Sequence, residues 1–404
     1  MNRSLALNNN LKSAFKPSLA GSLNVVFNAG TRFEDNQGVA NVLKNFAFRN
    51  TAERSSLRQV REAEAAGGVL YSTLTRDNLI LSADFLPQHQ ELFVQILADV
   101  VKSTKFTQHE YDEAVKPALQ AEFNAAQQNA LIQAIDTAHT IAFRRGLGNS
   151  LFSASEHPVK LEDVKAYASK VYSADNVAFL STGPSDISSS LSKYFSGLSS
   201  TGQAQTQKSQ YFGGEQRLNL PHEGHALPSA FISWGSTSSS PAHTVLAELL
   251  GSGSNIKWNK GLSPLAAIEE ADVKAVNFEY SDASLFGFAV QSSSESNVKK
   301  ASQKAVEAFK KIAQNGVEST QLQAAIAKSK FNYTLYADSA DGWKQINGNG
   351  LINNNLKSLD QVLGEFDAVS TSSIQQAAAD LLKNKVTLVT VGGRELPYAD
   401  ELGL

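Results

Sequence analysis

The chain has 404 residues, too many for one ordinary hydrophobic core, so two domains are expected. Hydrophobic residues make up 42% and charged residues 19%, and the net charge of -3 leaves no basic excess for a nucleic-acid backbone. There is no cysteine, which excludes disulfides, thiol catalysis and thiolate-held metals or clusters and suits a reducing compartment.

Residues 1–22 carry Arg3, Lys12 and Lys16 with interspersed serines, and the first acidic residue is Glu34. This reads either as a mitochondrial presequence or as a short tail. A strand then runs from Leu23 into a glycine turn, followed by a helix over Val39 to Phe48. A second strand spans Asn78 to Phe85. Leu92, Phe93, Ile96, Leu97, Val100 and Val101 form one apolar helix face. Gln95 and Asp99 interrupt that stretch, and no window reaches the ~18 apolar residues a membrane span needs. Any membrane association must therefore come through partners. A helical pattern follows over Glu110 to Gln128. The half closes on a helix, Val164 to Val171, and a strand from Val177 that ends in glycine.

The same order then repeats. Ala230 opens a strand that ends in glycine, and a helix follows over Ala242 to Leu250. A strand spans Leu285 to Gln291, and a helix is faced by Ala305, Ala308, Phe309 and Ile312. A helix over Glu318 to Tyr336, a helix from Ile374 to Leu382 and a strand from Val386 complete the half. Asn28 and Trp234, Phe123 and Phe331, and Val177 and Val386 lie 206, 208 and 209 residues apart. Between the copies, residues 197–214 are almost free of apolar side chains and read as a linker. The expectation is an α+β protein of two homologous domains, 23–196 and 215–404. Each is a mixed sheet with helices packed on it, the two facing one another.

The run Gly38 to Thr51 resembles the zinc helix of pitrilysin-type peptidases, a family that includes the mitochondrial processing peptidase. That helix carries H-x-x-E-H. Histidines four apart share a helix face and can hold one zinc, and the glutamate beside them activates the metal-bound water. Here the three positions are Asn41, Lys44 and Asn45. A neutral amide is a poor zinc ligand, and an ammonium repels a divalent cation and accepts no proton. In the family the third ligand is a glutamate on a later helix, for which Glu122 is the nearest candidate. Further matches are Arg58 to Gly68, Phe143 to Ser150 and Tyr280 to Phe288. The resemblance implies two peptidase-like domains with no catalytic residue, no metal and no cofactor.

Gly146-Leu-Gly-Asn, Thr73-Leu-Thr-Arg and Leu396 to Leu402 are similar to fungal members that serve as core subunits of respiratory ubiquinol–cytochrome c reductase (complex III). That similarity implies a non-catalytic structural subunit needed for assembly and stability of the complex. It would be peripheral on the matrix side of the mitochondrial inner membrane. Its partners would be a first core subunit, cytochrome b, cytochrome c1 and the Rieske protein in a dimeric complex. The alternative is an alpha-type, substrate-binding subunit of a processing peptidase. Its glycine-rich loop resembles Gly251 to Gly261, although Lys257, Trp258 and Asn259 thin the glycine run. A third reading, an independent zinc peptidase, requires ligands that positions 41 and 45 lack.

Other constellations carry less. His222 and His225 are three apart beside Pro221 and Gly224, poor spacing for helical metal ligands. Ser188 to Ser190, Ser238 to Ser240 and Ser292 to Ser294 have no His and Asp context for a triad and read as loop polarity. Gly251 to Gly261 lacks the order of a phosphate-binding P-loop.

Overall fold

The central strands are apolar on both faces, as in the buried runs Gly21–Phe27, Leu79–Phe85, Val177–Gly183, Ser229–Ser236 and Ser284–Gln291, and the chain folds into two compact units. The computed structural model describes residues 4–8, 11–152, 159–200, 202–204, 206–220, 226–253 and 263–404. The strands of the first unit are β1 (Ser4–Asn8), β2 (Leu11–Pro17), β3 (Gly21–Phe27), β4 (Val69–Leu74), β5 (Leu79–Phe85) and β6 (Val177–Gly183). They form one mixed sheet in the order β1-β2-β6-β3-β5-β4. The second unit has β7 (Gly214–Leu218), β8 (Ser229–Ser236), β9 (Asp272–Glu279), β10 (Ser284–Gln291) and β11 (Thr387–Val391), in the order β7-β11-β8-β10-β9.

The duplication holds strand by strand. In the first sheet β2 runs parallel to β6, then β3, β5 and β4 follow antiparallel. In the second, β7 runs parallel to β11, then β8, β10 and β9 follow antiparallel. The α+β class is as expected, but the boundaries differ from the sequence reading. Residues 1–22, read as leader or tail, hold β1, β2 and the start of β3, and Leu11 and Ala14 are buried in the first unit. Lys12 and Lys16, which gave that segment its leader-like look, share a strand face with buried Ala14, and Lys12 Nζ donates to the Ile352 carbonyl at 2.6 Å.

Each sheet is covered on both faces, and one cover comes from the other half of the sequence. In the first unit Leu23, Val25 and Phe27 pack with Phe46, Phe93 and Leu97 on one face. Val26, Ile80, Ala178 and Leu180 pack on the other face with Trp343 and Ile352, from the helix Ala340–Ile352. Gly348 lets that helix approach closely, because a Cβ there would lie 2.8 Å from Val26 Cγ1. In the second unit Ile232, Trp234, Phe286 and Phe288 pack with Phe309. The opposite face holds Phe231, Leu285 and Val389 against the helix Ala130–Phe143, through Ala130, Ala134, Ala138 and Ala142. Alanines four apart give a smooth stripe that sits low on a sheet. The units therefore comprise residues 1–123, 151–206 and 336–357, and residues 124–150, 207–335 and 358–404. The segment expected to be a linker ends by entering β7. Among the described residues no helix is long and apolar enough to cross a membrane.

Candidate functional site

The helix Val39–Phe46 follows β3 in the first unit, as the spacing predicts. Gly38 precedes it with φ of 89°, a left-handed turn that glycine adopts without strain. The helix turns Val39, Ala40, Val42, Leu43 and Phe46 into the core, while Lys44 and Asn45 remain half-buried. Phe46 packs against Phe106 and Tyr111, with ring centroids 5.2 and 6.0 Å away.

Tyr111 belongs to a continuous helical stretch over residues 108–127. Its turn at Tyr111–Val115 is the wider π form, before the helix Lys116–Gln127. Pro117 accounts for the widening: it has no N–H to offer the carbonyl one turn back, and its ring crowds that carbonyl. This stretch carries Glu122 to the face of the first helix.

The four residues singled out in the sequence meet there. Lys44 Nζ donates to Glu122 Oε1 at 2.5 Å. Asn45 Nδ2 donates to Asn41 Oδ1 at 2.9 Å and lies 3.5 Å from Glu122 Oε2. Asn41 is 1% exposed, and its Nδ2 donates to the Leu151 carbonyl at 2.8 Å. Positions 41, 44 and 45 fall on one face because they are three and four apart. Ser72 Oγ donates to the Lys44 carbonyl at 3.1 Å and ties this helix to β4.

This donor set does not fit zinc. The carboxylate already holds an ammonium, the amide of Asn45 aims N–H groups inward, and the one inward amide oxygen, on Asn41, is taken by Asn45. Where the family's glutamate would activate water, Lys44 presents an ammonium paired with Glu122.

Two contributors escaped the sequence reading. One is the Leu151 carbonyl, which no side-chain pattern could reveal. The other is Glu34, at the start of the zinc-type helix. Its Oε2 accepts from the Ala40 N–H at 3.2 Å, and its Oε1 is buried without a partner among the described residues. Burial pushes its carboxyl up to about 8, against the lowering effect of the Gly38 and Ala40 N–H groups. An acidic residue just before a helix was the available signal.

His222 and His225 lie outside the described residues, as do residues 254–262 of the glycine-containing loop. Among the serine clusters, Ser188 begins the helix Ser188–Phe195 and its hydroxyl donates to Asp186 at 2.7 Å. Ser240 caps the helix Pro241–Leu250. Among the described residues no group of three or more His, Asp or Glu side chains is placed to hold a metal ion.

Comparison with known proteins agrees with this descent. Residues 14–155 match the model of the insulinase family (peptidase family M16), and residues 158–329 match that of the peptidase M16 inactive domain. The first match opens inside β2. Three fungal relatives bear the name "Cytochrome b-c1 complex subunit 2, mitochondrial". That of Cryptococcus neoformans var. grubii is 38% identical over 96% of this chain and 91% of its own length. That of Neurospora crassa is 36% identical over 95% and 86%, and that of Yarrowia lipolytica 34% over 94% and 91%. The chain belongs to the M16 peptidase family, in its non-catalytic branch of mitochondrial cytochrome b-c1 complex subunit 2 proteins.

Proposed function

We propose that this protein is the second core subunit of respiratory ubiquinol–cytochrome c reductase, a structural component that supports assembly and stability of the complex. It sits at the matrix face of the mitochondrial inner membrane, beside a first core subunit of the same fold. Cytochrome b, cytochrome c1 and the Rieske protein are its further partners, within a dimeric complex. It binds no haem, cluster or metal of its own.

The observation that carries this reading is the replacement of peptidase chemistry at one intact scaffold position. The zinc-type helix is in place, yet Asn41, Lys44 and Asn45 stand where ligands and base would be needed. The name borne by relatives that align over most of their length supplies the assembly.

Native purification through a tag on this chain tests the reading. Haem absorbance of b and c1 type should co-elute with it, and depletion of the chain should lower the assembled complex. Recovery with a zinc-bearing peptidase partner and presequence cleavage, without haem, would instead establish the processing-peptidase alternative.

A further inference from the structure

We infer that Lys44 is a covalently tethered replacement for the metal ion, holding Glu122 in the role of a retained ligand whose cation is now supplied by the chain itself. This rests on the reading of the zinc-type helix as an abandoned peptidase site. The supporting geometry is local to the first unit. Lys44 extends from the helix Val39–Phe46 to Glu122 Oε1 at 2.5 Å, while Asn45 Nδ2 approaches Oε2 of the same carboxylate. The side chains are 15% and 35% exposed, so water screens the pair only in part.

Charge accounting sets the site against a metal ion. Two neutral imidazoles and one carboxylate leave a single negative charge for a divalent cation to overcompensate. An ammonium against one carboxylate sums to zero. The two amides add only dipoles, and these satisfy one another, with Asn41 Oδ1 accepting from Asn45 and Asn41 Nδ2 donating to Leu151. A cation entering the site would meet an ammonium at the carboxylate, and N–H groups where lone pairs are required. The ammonium is thus a barrier to metal in its own right, beside the loss of the two ligands at positions 41 and 45. Loss of the histidines alone would have left Glu122 without a counter-charge against the helix. Lysine at position 44, in place of a glutamate, both removes a second carboxylate and neutralises the first.

The full-length chain tests this with Co(II) and Zn(II) as probes, read by the visible absorption of bound cobalt and by zinc stoichiometry after gel filtration. The variant N41H/K44Q/N45H is expected to bind one equivalent. The variant N41H/N45H, with Lys44 kept, is expected to bind at least ~100-fold more weakly. Adding E122Q to the triple variant is expected to abolish tight binding and the tetrahedral cobalt spectrum. Circular dichroism checks that each variant is folded, and N41H/K44M/N45H replaces the triple variant if the glutamine version is not. Equal affinity with and without Lys44, or no binding by any folded variant, overturns the inference. One equivalent of zinc on the unaltered chain overturns the abandoned-site reading beneath it, a separate result from a separate sample.

Discussion

The two units present the same helix in opposite electrical dress. In the first unit the helix after the glycine-ended strand carries the cation, Lys44, and the long later helix carries the carboxylate, Glu122. In the second unit the helix Pro241–Leu250 carries the carboxylate, Glu248, and the later helix Ser319–Asp338 carries the cation, Lys328, 3.0 Å away. Their surroundings differ as well. The Glu248 side chain is 9% exposed and takes further hydrogen bonds from Asn332 at 2.9 Å and Ser252 at 2.5 Å, whereas Glu122 is 35% exposed. In the second pair the carboxylate is the enclosed partner and the lysine, 27% exposed, is the wetter one. The first remains open to water on one side, as a former reaction site would be. In each unit an ion pair ties these two helices together, with the ends that hold the two charges exchanged.

That contrast predicts graded losses. Lys328→Ala leaves an enclosed carboxylate without its cation and should cost about 3 kcal/mol of stability, read from urea unfolding. Next comes the helix start. Glu34 binds a proton in the folded state up to about pH 8, while an unfolded carboxyl releases it near 4.5, so folding should weaken as pH rises through that window. Glu34→Gln should flatten the slope and gain about 2 kcal/mol at pH 8; an unchanged slope would remove Glu34 as its source. Lys44→Ala should cost only about 1 kcal/mol, because the half-open pair is screened. A loss equal to that of Lys328→Ala would erase the distinction between the units. Smallest, Ser240→Ala should cost about 0.7 kcal/mol at every pH, since the second helix is capped by a neutral hydroxyl that accepts from Ala242.

Much of this was legible because it is local. Val39 to Phe46 announces a helix by its apolar spacing, and Asn41, Lys44 and Asn45 share a face by arithmetic. The nomination of Glu122 as the facing carboxylate came from the family resemblance, which places a glutamate on a later helix, and the fold sets it against Lys44. What the sequence hid is non-local. Nothing in the alanine stripe Ala130 to Ala142 says that it covers the second sheet and not the first, because alanine fits any flat apolar surface. Strand β2 was concealed by Lys12 and Lys16, whose charges lie on its less buried positions. The π turn at Tyr111–Val115 follows from Pro117, a visible residue whose local effect depends on what the neighbouring turns can absorb.

The exchange of covering helices has a consequence for biosynthesis. When the ribosome has released the first half of the chain, one face of its sheet still lacks Trp343 and Ile352, which are translated more than 150 residues after β6. That nascent half must wait, greasy side bare, for nearly the whole polypeptide to emerge. Chaperone occupancy during synthesis should accordingly persist until residues 340–352 clear the exit tunnel.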